Sequence, residues 1–219
     1  MKEYWRKNGL SLTFGLLTLL TLGGQIVVGW YNFNDELGDY GRAPIGFTAY
    51  LASGHCIEAV FENWESEFLQ MGLYVVLTVS LYQKGSSESK SLDGPEEVDR
   101  EPSPSRPGAP WPVRRGGWVL KLYKNSLSLA YFFLFGFSFV LHAAGGVREY
   151  NTEQALKGKT EMLSLWQFLG TSEFWFQSLQ NWQSEFLSVL SIVVLSIYLR
   201  QKGSPESKPV DASNDEAGK

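Results

Sequence analysis

The sequence predicts an all-α membrane protein: four transmembrane helices forming two tandem, parallel two-helix repeats, each with an extra amphipathic interfacial helix. Three observations predict it. Apolar residues fall in long blocks, three sequence blocks recur at one spacing, and Lys and Arg crowd into alternate connecting segments. Eight Trp and ten Tyr in 219 residues add the aromatic content that collects at membrane interfaces.

Residues 10–30 carry no charged side chain and can cross a hydrocarbon core of about 30 Å as a helix. Residues 126–147 do the same, with His142 as the one group that titrates near neutral pH. Two apolar runs, 68–82 and 186–199, are shorter, since about 15 residues at 1.5 Å rise cover only about 22 Å. Each is expected to gain length through 63–67 and 181–185, read as the first helical turns at headgroup depth. The basic start (Lys2, Arg6, Lys7) resembles a secretory signal. Its apolar run is too long for a cleaved one, and no small-x-small site follows, so a retained helix is expected.

Lys and Arg favour the cytoplasmic side of a membrane. With the N-terminus inside, the inner segments hold 15 of them, from Lys2 to Lys219, and the outer loops hold 4: Arg42, Arg148, Lys157 and Lys159. The outer loops together with the helix starts at 63–67 and 181–185 hold twelve acids. Both termini and the central linker are therefore expected in the cytoplasm.

Self-similarity is the strongest signal. Lys7-Asn8-Gly9-Leu10-Ser11-Leu12 returns as Lys124-Asn125-Ser126-Leu127-Ser128-Leu129. Asn63-Trp64-Glu65-Ser66-Glu67-Phe68-Leu69 returns as Asn181-Trp182-Gln183-Ser184-Glu185-Phe186-Leu187. Gln83-Lys84-Gly85-Ser86-Ser87-Glu88-Ser89-Lys90 returns as Gln201-Lys202-Gly203-Ser204-Pro205-Glu206-Ser207-Lys208. The offset is 117 in the first block and 118 in the other two, so one residue is inserted between them. Each unit starts and ends inside, which makes the copies parallel, related by a pseudo-two-fold along the membrane normal. The expected organisation is a first repeat at 1–84, a disordered cytoplasmic linker at 85–117, a second repeat at 118–202 and a disordered tail at 203–219. The linker is rich in Ser, Pro and charge and poor in apolar residues.

Residues 44–62 place Phe47, Tyr50, Gly54, Ile57 and Phe61 on one helical face, and the second copy matches with Leu165, Phe168, Ser172, Trp175 and Leu179. This helix either lies flat in the interface or dips between spans. The interfacial form is preferred, because its other face carries His55, Glu58 and Glu62.

Few residues suggest chemistry. Cys56 is the only cysteine, which excludes an internal disulfide and a multi-cysteine metal site. Net charge is −4, so no basic field draws the chain to nucleic acid. There is no Walker loop, nucleophile elbow or metalloprotease helix. His55, Glu58 and Glu62 share a helical face and, with His142, could hold a divalent metal, and the two histidines could ligate a haem. The alternative is a solvated polar face with a hydrogen-bonded His142. The second copy carries Glu173, Phe176 and Gln180 at 55, 58 and 62 plus 118. Glu67 and Glu185 stand at equivalent positions where the short spans begin, and could line an ion path. Alternatively they are first-turn acids behind Asn63 and Asn181 N-caps, with Trp64 and Trp182 as interface anchors. Gly23, Gly24, Gly29, Gly145 and Gly146 are expected to be helix-packing surfaces.

The stretch from Gly54-His55-Cys56-Ile57-Glu58 through Asn63-Trp64-Glu65-Ser66-Glu67 to Gln70-Met71, with the opening Lys7-Asn8-Gly9-Leu10-Ser11, resembles the signature of an uncharacterised family of bacterial membrane proteins. The resemblance covers nearly the whole chain outside the linker. It implies a bacterial source and a multi-pass location in the cytoplasmic membrane, and it carries over no catalytic role.

The preferred functional expectation is a non-enzymatic membrane protein that acts on partners or lipids in the bacterial envelope, without a cofactor. Two alternatives are a small ion or solute transporter using Glu67 and Glu185, and a metal- or haem-binding protein using His55 and His142. A pore would require a homodimer, since four helices per chain are few for a closed solute path.

Overall fold

The computed structural model describes residues 2–217. Lys219, counted above with the inner charges, and the last two residues of the expected tail lie outside them. The described chain is all α-helical, with eight helices: α1 (Lys2–Asp39), α2 (Phe47–Leu51), α3 (Gly54–Ser80), α4 (Trp111–Arg115), α5 (Gly117–Lys124), α6 (Ser126–Leu156), α7 (Leu165–Phe168) and α8 (Ser172–Tyr198). α1 and α6 are long and apolar enough to cross a membrane. Residues 85–117 hold a 3-10 turn at Glu97–Asp99 and the short α4.

The second half of each long pair begins earlier than the sequence suggested. No single helix covers 44–62. α2 stops at Leu51, and α3 starts at Gly54 and runs without a break to Ser80. The cause is a cap: Ser53 Oγ accepts the Cys56 N–H at 3.1 Å, which satisfies an otherwise orphan first-turn donor. Thr171 Oγ1 does the same for Phe174 N–H at 3.2 Å, and α8 starts at Ser172. Asn63 is therefore no N-cap. It lies inside α3, and its Nδ2 donates to Ala59 O at 2.8 Å. Asn181 likewise lies inside α8. α3 and α8 are each 27 residues long, about 40 Å at 1.5 Å per residue.

The chain divides into two compact units, and each takes residues from both halves of the sequence. The first comprises Met1–Trp64 and Ser138–Gln177. It holds two apolar cores. One joins Phe33, Leu37, Tyr50 and Cys56 with Ile26, Trp30, Ile45 and Leu156. The other joins Ala143, Phe168 and Phe174 with Phe139, Val147, Tyr150, Leu163, Leu165 and Leu169. Six pairs of positions correspond: 26/143, 30/147 and 33/150 at an offset of 117, then 45/163, 50/168 and 56/174 at 118.

Each core is closed by the same device. Asn34 Oδ1 accepts Ile45 N–H at 2.7 Å while its Nδ2 donates to Ile45 O at 3.2 Å. Asn151 does this to Leu163, at 2.8 and 2.9 Å. A side-chain amide thereby completes one residue of backbone in a loop that has no ladder partner. The clasps span 11 residues in one case and 12 in the other, so the loop absorbs the extra residue that separates the two offsets.

Within the same unit α3 and α6 meet backbone to backbone. A Cβ on Gly54 would strike Glu149 N and lie 2.8 Å from Gly145 O, and one on Gly145 would lie 2.5 Å from Glu58 N. Gly23 and Gly24 have nothing within 4 Å and are not packing contacts of this kind.

The second unit comprises Glu65–Phe137 and Ser178–Lys219. Two loops in it are built alike. Gln83 N–H donates to Ser89 Oγ at 2.8 Å and Glu88 N–H to Ser86 Oγ at 3.1 Å. Gln201 N–H donates to Ser207 Oγ at 2.9 Å and Glu206 N–H to Ser204 Oγ at 3.1 Å. Gly72 lets the ring of Phe132 approach, 3.2 Å from where a Cβ would stand.

Burial is inverted relative to a protein folded in water. Among the described residues, nine apolar and fourteen polar or charged side chains are buried, while Leu10, Leu19, Val28, Phe133 and Phe176 are each more than 65% exposed.

Two stability outcomes follow. Gly145→Val should cost about 1–3 kcal/mol through backbone overpacking, and Gly23→Ala should leave the melting temperature in detergent unchanged. Asn34→Ala and Asn151→Ala should each lower stability by a similar amount, about 1–3 kcal/mol for orphaned backbone groups, read from the same melts.

Candidate functional site

The first unit brings together Glu58, Glu62 and His142. One donor atom from each lies within 4.8 Å of the others. The two acids are four residues apart on α3 and share a face. The glycine contact sets that face against α6: a Cβ on Gly146 would lie 3.3 Å from Glu58 Oε1. His142 is fully buried and Glu58 nearly so, and Glu62 is half-buried.

A neutral amide ties two of the three. Gln177 Nε2 donates to Glu58 Oε1 at 2.7 Å, and its Oε1 stands 3.3 Å from His142 Nε2. With the amide nitrogen committed to the acid, its oxygen is the acceptor, so His142 carries the proton on Nε2 in this arrangement. The imidazole also stacks on Phe174 at 4.8 Å between ring centres.

His55 is not part of this group. Its Nδ1 meets Tyr50 Oη at 3.0 Å, and its ring packs 5.3 Å from Phe33. The structure therefore separates the two histidines by role: His55 is bound into an aromatic core and His142 into an acidic cluster.

Two buried residues next to the cluster were not singled out from sequence. Glu149 lies on the buried face of α6 and interacts electrostatically with Glu58 and with the backbone N–H of His55. Its Oε2 is buried without a hydrogen-bond partner. Ser138, fully buried one turn before His142, has an unpartnered Oγ. The signal for both was their spacing from His142 on α6, four residues before it and seven after.

The second unit brings Glu67 and Glu185 together. Their carboxyls are within hydrogen-bonding reach of each other. Glu67 is exposed and Glu185 half-buried. Gln70 Nε2 donates to Glu185 O at 3.3 Å and to Ser188 Oγ at 3.2 Å. Sequence reasoning passed over Glu65, which is fully buried and accepts Trp182 Nε1–H at 2.9 Å. Trp182 thus has a specific polar partner, whereas Trp64 is partly exposed, with its ring on Phe61 at 5.4 Å.

A family described as a domain of unknown function (DUF6766) matches the chain over residues 1–219. The chain belongs to the DUF6766 family. No curated protein and no solved structure matches it, so the chemistry of this DUF6766 chain has to be argued from its own residues.

The Glu65–Trp182 contact can be tested directly. Trp182→Phe leaves a buried acceptor without that donor and should cost about 1–3 kcal/mol. Combining it with Glu65→Leu should recover part of the loss in a thermal-melt cycle, because both polar partners are then gone.

Proposed function

We propose that the protein crosses the cytoplasmic membrane of a bacterium four times, with α1, α3, α6 and α8 as two tandem parallel two-helix repeats and both termini inside, and that it moves a proton or small cation by way of Glu67 and Glu185. Several features support the membrane reading. Exposed apolar side chains cover α1 and α6. α3 and α8, at about 40 Å, exceed a hydrocarbon core of about 30 Å. The 15-to-4 division of Lys and Arg supports the orientation. The paired cores, paired asparagine clasps and paired serine loops, each at an offset of 117 or 118, support the repeat.

One observation carries the functional reading: the two carboxyls at equivalent positions of α3 and α8 lie near enough to act on each other. Acids inside a span are costly and are kept where they do work. Two carboxyls at hydrogen-bond distance share a proton or a cation between them. The exposure of Glu67 supports a homodimer, in which a second copy covers a group that lipid would not solvate.

The lipid-interaction reading is favoured by a separate feature. A groove of about 420 Å³ in the second unit is lined by Leu73, Leu77, Leu81, Phe186, Leu190 and Val193 among others. It has the dimensions and apolar walls of a small-molecule site, here open to an acyl chain.

Proteoliposomes with an internal pH-sensitive dye decide between the two. Wild-type protein should dissipate an imposed gradient, and Glu67→Gln with Glu185→Gln should slow it at least tenfold while the protein still elutes as one folded species. Equal rates in wild type and variant, or no wild-type flux for protons or alkali cations, would remove the transport reading and leave the lipid one.

A further inference from the structure

The acid–imidazole cluster of the first unit lies outside the Glu67–Glu185 reading and has its own chemistry. It is built on the buried stripe of α6 that runs Ser138, His142, Gly145, Glu149, at spacings of four, three and four. Because Gly145 and Gly146 lack side chains, Glu58 comes in against the helix backbone. Glu58 and Glu62 then reach His142 as a set of three donor atoms within 4.8 Å. Side-chain movement of about an ångström brings such a set to the 2.0–2.2 Å ligand distances of a small divalent ion.

The cluster is withdrawn from solvent. His142 is fully buried and Glu58 is 9% exposed. Glu149, at 7% exposure, adds a carboxylate coupled to Glu58, and its Oε2 has no hydrogen-bond partner. A bound cation would satisfy such a buried, unpartnered carboxylate oxygen next to Glu58. Ser138 Oγ, on the other side of His142, is a second buried polar atom without a partner.

The corresponding positions of the other half of the chain make the contrast. His142, Glu58 and Glu62 correspond to Gln25, Phe176 and Gln180. The apolar core positions recur in both halves, whereas neither the ligating set nor the glycine contact does, since Gly54 and Gly145 correspond to Ser172 and Val28.

We propose that Glu58, Glu62 and His142 bind one divalent first-row transition metal ion. The donor set selects the class. Imidazole with carboxylates suits zinc, iron, nickel and manganese, whereas calcium takes six to eight oxygens. Gln177, which now bridges Glu58 and His142, holds both side chains in place from outside the ligand set, the arrangement that outer partners of metal ligands commonly take.

The test uses untagged full-length protein in detergent, stripped with chelator, loaded with zinc in excess magnesium and desalted. Elemental analysis should find about one zinc per chain, and Glu58→Gln with Glu62→Gln should lower the affinity at least tenfold, while Glu67→Gln retains wild-type zinc. Cobalt loading of the wild type gives a readout that needs no variant: ligand-field bands in the visible region should appear and be removed by zinc. Zinc bound equally by the double variant, or no retained zinc and no cobalt bands in the wild type, would overturn the proposal.

Discussion

The contact of α3 with α6 at Gly54 and Gly145 is the constraint on which the first unit depends. At this point one helix backbone touches another, and no side chain heavier than hydrogen fits. The approach is what turns Glu58 toward Gly146 and sets Glu62 within reach of His142. It also places Glu149 N beside Gly54. A larger residue at either glycine would separate the helices and scatter the cluster, so packing and chemistry rest on the same missing methyl group. Small residues at helix contacts are the usual way to bring backbones together where the surrounding medium is as apolar as the side chains.

The second recurring device is local satisfaction of backbone polarity. Asn34 and Asn151 each complete one loop residue, Ser53 and Thr171 each cap a long helix, and the serines at 86, 89, 204 and 207 each complete their own loop. None of these depends on a regular ladder. In an apolar environment an open N–H or C=O costs several kcal/mol, about as much as a domain can spare. Short polar side chains at turn positions remove that cost within a few residues.

Part of this was legible in the sequence. The helical class followed from the length of the apolar blocks, and the offsets of 117 and 118 pointed to the correspondences later found in the cores and loops. The start of α3 was misplaced because Asn63 is a good cap by residue type, while Ser53, with Thr171 at the same offset, was the better one by position. His55 was grouped with Glu58 and Glu62 because all three lie on one helix. The structure leaves His55 out and keeps His142 with the two acids, and that choice is made by a helix contact 91 residues apart in the chain, between Gly54 and Gly145. Periodicity along one helix carries no information about its neighbour. The glycine pair three residues after His142 was the available hint, and it was read as packing alone. Glu65, Glu149 and Gln177 were missed because an acid or amide at an amphipathic boundary looks solvated until its partner is known.

The two serine loops have a consequence for how the polypeptide can be handled. Gln83–Ser89 and Gln201–Ser207 are closed by their own hydrogen bonds, so the turn that follows each long helix is finished before the chain continues. Residues 100–110 have no helix of their own and are held by ion pairs such as Lys124 with Glu101. A cut there would interrupt no helix, and each half of the polypeptide would keep its own closed loop.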